Sequence, residues 1–132
     1  MILLDTMLLS ELRKRRPHPK VVAWLRSQAP TEVFISVVSL GEIERGIHRA
    51  ADRVFAVELA AWLEALIRFY ADRILPVTPD IARRWGRLSA ELGHDGADLL
   101  LAATAASHRL TVATRNLRHF KPAGVMLVDP FA

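Results

Sequence analysis

Residues 2–6 read Ile2-Leu3-Leu4-Asp5-Thr6, an apolar run that stops abruptly at a carboxylate. Three bulky apolar residues without polar alternation favour a strand that is buried on both faces, as in the middle of a parallel sheet. The spacing of apolar residues over 7–12 is helical, so Asp5 stands where a central strand ends and a helix begins. Ligands bind at this carboxyl edge in open α/β sheets. An aspartate in this position can equally serve as the N-cap of the following helix.

The composition is that of one globular domain covering residues 1–132. Its hydrophobic content of 52% and charged content of 24% exclude a disordered chain. The absence of cysteine excludes a disulfide scaffold and a thiolate metal site. No apolar run approaches the roughly 18 residues of a membrane span. The N-terminus lacks the basic region of a signal peptide, so we expect a cytoplasmic protein without membrane contact. A net charge of +4 favours a polyanionic partner such as nucleic acid.

Strand and helix patterns alternate along the whole chain. After the first helical turn, helices are expected over 21–28, 39–50, 53–70, 79–92 and 95–108. Further strands are expected over 33–36, 73–77, 110–114 and 125–128. This sustained alternation predicts an α/β fold with a largely parallel sheet and right-handed crossovers.

Two segments have alternative interpretations. The apolar arc of the 53–70 helix is wider than one sheet face needs, which indicates either a protein–protein surface or a deeply buried core helix. The basic segment 13–20 is broken by two prolines and is either a phosphate-contacting connection or a solvated loop.

Four polar side chains are expected at one edge of the sheet. Asp5 ends the first strand, Glu42 lies in the first helical turn after the second, and Asn116 follows the fourth. Asp98 lies in the first turn of the helix that precedes the fourth strand. Clustered carboxylates repel one another unless they are protonated or neutralised by cations. Hard oxygen ligands without His or Cys point to Mg²⁺ or Mn²⁺.

Helix capping is the alternative explanation for these acids. Ser39-x-x-Glu42 matches a capping box, Asp95-x-x-Asp98 resembles one, and acids favour helix N-termini in general. Three caps that converge by chance at one sheet edge are less expected than a metal site, which we therefore favour for the set.

Four segments, in order and at suitable spacing, resemble the PIN-domain ribonucleases, and among them the VapC toxins of bacterial toxin–antitoxin pairs, in the subgroup that includes FitB. Residues 75–77 and 84–86 look like the same subgroup. The four segments are Met1-Ile2-Leu3-Leu4-Asp5-Thr6, Ser36-Val37-Val38-Ser39-Leu40-Gly41-Glu42, Asp98-Leu99-Leu100-Leu101-Ala102-Ala103-Thr104-Ala105 and Ala113-Thr114-Arg115-Asn116-Leu117-Arg118-His119-Phe120.

The resemblance implies a three-layer α/β/α fold around a central, mainly parallel sheet of four to five strands. It also implies a toxin that is a metal-dependent endoribonuclease using Mg²⁺ or Mn²⁺. Asp5 and Asp98 would be the principal metal ligands, Glu42 would complete the acidic cluster, and Asn116 would join them as a catalytic group. By position, Thr6 would orient Asp5, and Ser39 and Thr114 would support the ligands from behind. The residues that would hold the RNA backbone are Arg13, Arg15, Arg115 and Arg118.

The same resemblance predicts a homodimer and a VapB-like antitoxin whose tail inserts across the acidic pocket.

Three departures from the family pattern bear on activity. Met7 stands where the family has asparagine, His119 replaces an aspartate, and the loop over 91–96 is shorter than usual. Asp95 in that loop is either a substitute carboxylate or a helix cap.

Because methionine cannot donate a hydrogen bond to a carboxylate or phosphate, a catalytically weakened PIN module that binds RNA or a partner protein is the alternative function. A phosphoacceptor receiver domain is a third hypothesis. That class needs an acid after the third strand and a lysine after the last. The sequence offers Thr78-Pro79 and Asp129-Pro130-Phe131-Ala132 there, which disfavours it.

Overall fold

The computed structural model describes residues 1–132 and contains five strands and seven α-helices. The strands are β1 (Ile2–Leu4), β2 (Val33–Ser36), β3 (Ile74–Leu75), β4 (Thr111–Ala113) and β5 (Leu127–Val128). The helices are α1 (Thr6–Arg13), α2 (Pro19–Arg26), α3 (Val37–Arg49), α4 (Arg53–Tyr70), α5 (Pro79–Leu92), α6 (Ala97–His108) and α7 (Leu117–Phe120). Short 3₁₀ turns occupy Pro30–Glu32, Ala71–Arg73 and Lys121–Ala123.

The strands form one sheet in the order β3-β2-β1-β4-β5, and every pair is parallel. The first strand is central, as its apolar run predicts: Leu3 lies opposite Phe34 on one side and Val112 on the other. The predicted α/β class and strand number are therefore confirmed. Asp5 follows directly after this central strand, and its backbone N–H donates to the Ala113 carbonyl at 3.0 Å.

Helices cover both faces of the sheet, because successive residues of a strand point in opposite directions. Leu3 packs in a core cluster with α6, α7 and β4, whereas Leu4 packs in a larger cluster with α1 to α4. Both leucines are completely buried. This gives the three-layer α/β/α arrangement.

Local signals in the sequence set several helix ends. Thr78 caps α5 by accepting from the Ile81 N–H at 3.2 Å, and Gly93, with φ of 77°, ends that helix in the left-handed conformation. Asp52 caps α4 with hydrogen bonds from the Val54 and Phe55 N–H groups at 2.9 and 3.3 Å. The predicted bounds of the 53–70 helix are confirmed.

Three predicted helix starts are wrong. Helix α2 begins at Pro19 rather than Val21, with His18 as its N-cap. Helix α3 begins at Val37 rather than Ser39, because the Ser36 hydroxyl accepts from the Val38 N–H at 3.0 Å and caps the helix. Glu42 therefore lies in the second turn, and the capping box is not formed. Helix α6 begins at Ala97 with Gly96 at the N-cap, so Asp95 is not the cap.

The strands are shorter than the apolar runs suggest, and one helix is unexpected. The segment 73–77 contributes only Ile74–Leu75 to the sheet because a 3₁₀ turn ends at Arg73 and Pro76 follows, lacking an N–H. Helix α7 is a single turn, too short to show a periodic pattern in the sequence.

Helix α4 is half buried. Leu59, Leu63, Leu66 and Tyr70 face the core, whereas Val54, Val57 and Phe69 are each about two-thirds exposed. The alternative of a deeply buried core helix is therefore wrong. No helix in the structure combines the length and the apolar character needed to span a membrane.

Candidate active site

Asp5 is the most buried acid of the site, with 7% of its surface exposed. It occupies the N-cap position of α1, but its side chain makes no capping hydrogen bond. Instead, Thr114 donates its hydroxyl hydrogen to Asp5 Oδ2 at 2.8 Å. The Thr114 oxygen in turn accepts from the Asn116 N–H at 2.9 Å. Capping thus does not account for Asp5, whose carboxylate is oriented by a residue at the end of β4.

Burial raises the pKa of Asp5 above its ordinary value, because desolvation disfavours the charged form. The Thr114 hydroxyl and the nearby Thr6 N–H lower the pKa and oppose this effect, while the negative charge of Glu42 raises it further. A cation close to Asp5 would favour the ionised carboxylate. The electrostatics of Asp5 therefore suit a metal ligand.

Glu42 is oriented by Thr6, which was expected to orient Asp5. Thr6 donates its hydroxyl hydrogen to Glu42 Oε1 at 2.6 Å and lies 2.7 Å from the Ser39 hydroxyl oxygen. Ser39 is completely buried. Arg45 reaches the other carboxylate oxygen, Oε2, at 3.7 Å. Glu42 thus reaches the site from the second turn of α3, because α1 and α3 lie side by side.

Asp98 is the second residue of α6 and approaches its own N-cap closely. A Cβ atom built on Gly96 would lie 2.6 Å from Asp98 Oδ1. The backbone φ of Gly96 is −58°, which any residue adopts. An alanine at this position would therefore displace the Asp98 carboxylate, whereas the backbone conformation itself does not need glycine.

Asp5, Glu42, Asp98 and Asn116 line one cavity of about 290 Å³, which we call the acidic cavity. The four predicted site residues are thus brought together. No lysine or arginine lines this cavity. His119 also lines it, whereas Asp95 does not, so Asp95 is neither a cap nor part of this cluster.

The donor set of the acidic cavity fits a hard divalent cation. It offers three carboxylates, of which only Glu42 has an arginine partner, and carboxylate oxygens are the ligands that Mg²⁺ and Mn²⁺ prefer. No three of the Asp, Glu and His side chains converge closely enough to hold one ion by themselves. Mg²⁺ usually binds through one or two carboxylates and retains several waters. The cavity volume leaves space for such waters.

Met7, which stands where the family has asparagine, contacts Asn116. The side-chain amide of Asn116 donates to Met7 Sδ at 2.8 Å. Met7 is 56% exposed and lines the acidic cavity. The sulfur therefore occupies one hydrogen of the Asn116 amide.

The four predicted RNA-binding arginines are separated by the structure. Arg13 and Arg115 line a groove beside the acidic cavity, and Arg118 lines a recess on another side of it. Arg15 lines none of these cavities. Phe131, which the sequence reasoning missed, lies under Arg115, with the guanidinium carbon 4.5 Å from the ring centre. Phe131 and Arg115 are distant in sequence and meet only in the folded chain, so no local sequence signal would have identified the contact between them.

Comparisons with known proteins identify the family to which the chain belongs. The PIN domain family model matches residues 2–125. The chain is 34% identical to Toxin FitB of Neisseria gonorrhoeae, covering 99% of both proteins. It is 31% identical to VapC ribonuclease Y4jK of Sinorhizobium fredii, covering 99% of this chain and 98% of the relative.

The fold also matches a solved structure. The crystal structure of FitAcB from Neisseria gonorrhoeae superposes with a TM-score of 0.87 and 34% identity over 99% of both chains. Sequence, fold and the arrangement of carboxylates thus lead to one assignment: this chain belongs to the PIN-domain family, in the branch that includes FitB and the VapC ribonucleases.

Proposed function

We propose that this protein is the toxin of a toxin–antitoxin pair and hydrolyses RNA phosphodiester bonds with Mg²⁺ or Mn²⁺. One or two of the carboxylates of Asp5, Asp98 and Glu42 would hold the ion directly, and waters would complete its coordination. One observation carries the proposal: three carboxylates line a single cavity whose lining contains no lysine or arginine, and Arg45, which reaches Glu42 Oε2 at 3.7 Å, lies outside that lining. The similarity to a protein named a VapC ribonuclease supports RNA as the substrate. An RNA-cleaving toxin acts where RNA is found, in keeping with the expected cytoplasmic location.

Different side chains have different roles in the proposed site. Thr114 holds Asp5, and Thr6 holds Glu42, so both carboxylates are fixed before substrate arrives. A bound divalent cation lowers the pKa of a coordinated water and offsets charge on the scissile phosphate. Asn116 presents a polar amide to the same cavity. Its position suits contact with the substrate or with an ordered water.

The proposed activity includes two partners. An antitoxin of the VapB type is expected to insert a basic side chain into the acidic cavity, where it would pair with Asp5, Glu42 and Asp98. A second copy of the chain is expected as well, because the exposed apolar side of α4 suits a protein contact.

Cleavage of single-stranded RNA in the presence of Mn²⁺ tests the proposal directly. The wild type should cleave, Asp5→Asn should not, and Glu58→Gln should behave as the wild type. Glu58 is an exposed acid on α4 outside the cavity, so this variant controls for the change in net charge. Equal cleavage by wild type and Asp5→Asn would contradict the proposed site.

A weakened binding module remains the second candidate, and the contact between Met7 and Asn116 favours it. In that case the wild type would bind RNA but cleave no faster than Asp5→Asn. Met7→Asn would then raise the cleavage rate, because asparagine can donate a hydrogen bond into the site and releases the Asn116 amide.

A further inference from the structure

Two depressions that contain arginines adjoin the acidic cavity at different walls. The first, which we call the α1 groove, is lined by Met7, Ser10, Glu11, Arg13, Lys14, Arg115 and Phe131 and has a volume of about 240 Å³. It shares Met7 and Ser10 with the acidic cavity. The second, the α6 recess, is lined by His94, Asp98, Arg118, His119 and Pro122 and measures about 370 Å³. It shares Asp98 and His119 with the acidic cavity.

Part of the charge in the α1 groove is already neutralised. Glu11 accepts from Lys14 Nζ at 2.9 Å and from the His18 N–H at 3.1 Å. The hydrogen bond from Lys14 is the main cause that holds the pKa of Glu11 below its ordinary value. Glu11 and Lys14 therefore cancel each other, and the net positive charge of the groove comes from Arg13 and Arg115.

Aromatic rings hold these two arginines in place. The Arg13 guanidinium carbon lies 4.9 Å from the centre of the Phe55 ring, and that of Arg115 lies 4.5 Å from the Phe131 ring. The ion pairs of the structure involve Lys14, Arg45, His48 and Arg84, so neither arginine has a carboxylate partner. Both are available to a phosphate while cation–π contacts restrict their motion.

Phe131 is itself positioned by its neighbours. Its N–H donates to Asp129 Oδ1 at 2.9 Å, and its ring meets the His18 ring edge to face at 5.3 Å. The ring is thus covered by Arg115 and His18 and serves as a support rather than as a free stacking surface.

The α6 recess contains one arginine, Arg118, together with the carboxylate of Asp98, which lines the same recess. Arg118 is exposed and has no ion pair, and two imidazoles line the same recess. The replacement of the family's aspartate by His119 therefore removes a negative charge from this wall and leaves a group that donates a hydrogen bond.

We propose that one single strand of RNA crosses the acidic cavity, with its backbone phosphates held by Arg13 and Arg115 in the α1 groove and by Arg118 in the α6 recess. The inference rests on the proposed ribonuclease function and names how that site holds its substrate. A positive path that follows the backbone is the typical way in which proteins hold single strands without reading sequence. The acidic cavity, which repels phosphate unless a cation is bound, lies between the two depressions.

Binding measured without cleavage tests this path. The protein carries Asp5→Asn throughout, which removes one of the three negative charges of the cavity, and the probe is a fluorescein-labelled, mixed-sequence RNA 12-mer followed by anisotropy in buffer that contains EDTA. Arg115→Ala and Arg118→Ala should each weaken binding roughly tenfold, the size of one charge-assisted contact. Each should also reduce the slope of log K against log salt by about 0.7, as expected for one phosphate on a single strand. The double variant should weaken binding roughly a hundredfold.

Arg49→Ala is the matched control, because Arg49 is an exposed helix arginine that lines none of the three cavities. It should change binding less than twofold. If Arg115→Ala or Arg118→Ala behaves like this control, the strand does not cross the cavity and the proposal is overturned. If a polyglutamate peptide binds with this arginine dependence while the RNA 12-mer does not bind, the path belongs to a protein partner and the proposal is overturned as well.

Phe131→Leu tests the support given to Arg115. Leucine retains apolar packing against the core but removes the aromatic face. RNA binding should weaken several-fold, and it should weaken no further when Arg115 is already alanine. An equal loss in both backgrounds would exclude the positioning role. Since none of these measurements requires cleavage, a failure of nuclease activity and a failure of the RNA path are distinguishable.

Discussion

Thr114 is the residue that joins the two halves of the candidate site. Its hydroxyl donates to Asp5 and accepts from the Asn116 backbone, so the ends of β1 and β4 are tied together at the sheet edge. Thr6 plays the matching role between α1 and α3, through Glu42 and Ser39. The carboxylates are thus held by hydroxyl groups from neighbouring elements. This arrangement leaves one charged group, Asp5, buried without a cationic partner.

Replacing Asp5 by asparagine should stabilise the metal-free protein while abolishing cleavage. The neutral amide does not carry the desolvation cost that raises the pKa of Asp5. A carboxyl group with a raised folded-state pKa destabilises the fold above that pKa, and the penalty fades as the pH falls to the unfolded value. The variant should therefore melt roughly 4 °C above the wild type at pH 7.5 in EDTA, for a gain of about 1 kcal/mol. The difference should shrink towards pH 4.

Divalent cation provides the control for this experiment. Mn²⁺ should raise the melting temperature of the wild type, since a ligand that binds only the folded state stabilises it, and it should leave Asp5→Asn unchanged. A wild type that melts above Asp5→Asn in EDTA at every pH would show that the buried carboxylate is stabilising. That result would contradict the electrostatic reasoning.

Gly96→Ala should impair the site with little effect on stability. The new Cβ would meet Asp98 Oδ1 at 2.6 Å, so the carboxylate must rotate away, whereas the backbone tolerates alanine at φ of −58°. We expect cleavage to fall at least tenfold, because displacing a catalytic group by about 1 Å can cost two orders of magnitude. Initial rates on the RNA substrate and thermal melts together check this prediction.

Gly86→Ala is the matched control, because Gly86 lies within α5 and a Cβ there meets nothing within 4 Å. It should leave the rate unchanged and raise stability by up to about 1 kcal/mol, the difference in helix propensity. Full activity of Gly96→Ala would mean that the observed orientation of Asp98 is not needed for cleavage.

At the level of elements, the sequence predicts which helices and strands exist more accurately than it predicts where each of them begins and ends. The central strand, the long 53–70 helix and the alternation of strands and helices depend on local apolar patterns, and they are confirmed. The start of α3 was misplaced because Ser36 and Ser39 are both plausible caps, and only the folded chain selects Ser36. Helix α7 could not be predicted, because a single turn is too short to show a periodic pattern of apolar residues.

In the candidate site, too, features that depend on local sequence could be predicted, whereas contacts between distant parts of the chain could not. The carboxylates could be predicted to share an edge, since the ends of parallel strands meet there. Their hydroxyl partners could not be assigned correctly, because Thr6 follows Asp5 directly in sequence yet bonds to Glu42 from another helix. The role of Phe131 beneath Arg115 likewise depends on contact between the chain's last turn and the end of β4.

The junction between α4 and β3 contains a residue in a conformation that favours glycine. Ala71 has φ of 44° and ψ of −109° at the C-cap of α4. Ala71→Gly should therefore increase the free energy of unfolding by about 1 kcal/mol, because glycine has no Cβ to strain there. Urea denaturation measures the change.

The same substitution within α4 should have the opposite sign. Ala65 is an exposed residue in the helix interior, so Ala65→Gly should destabilise the protein by about 1 kcal/mol. If both variants destabilise equally, the chain adopts an unstrained conformation at Ala71 in solution, and the positive φ does not hold.

Across the whole molecule, the polar site and the main exposed apolar residues lie on different elements. The acidic cavity lies at the carboxyl edge of the sheet, whereas the outer side of α4 carries a row of exposed apolar residues flanked by the exposed charges of Glu58, Glu64 and Arg68. Residues Val54, Val57, Ala61, Ala65 and Phe69 of α4 form one exposed stripe, and none of them carries a charge. Of this stripe, only Phe69 belongs to the wide apolar arc that the sequence shows on the helix, because Leu59, Leu63 and Leu66 of that arc are buried in the core. A continuous apolar stripe in water indicates a protein contact.

The stripe predicts self-association of the protein when it is purified alone, because its own copies are then the only partners available to cover α4. Val57→Glu places a charge in the middle of the stripe at a position that is 66% exposed, so it should not disturb the core. Light scattering should show a dimer for the wild type and a monomer for Val57→Glu at the same micromolar concentration, since burying an unpaired charge at an interface is costly. Glu58→Gln, a neighbouring change beside the stripe, should leave the dimer intact. A wild type that is monomeric at high micromolar concentration, or a Val57→Glu variant of unchanged mass, would exclude this stripe as the contact between copies.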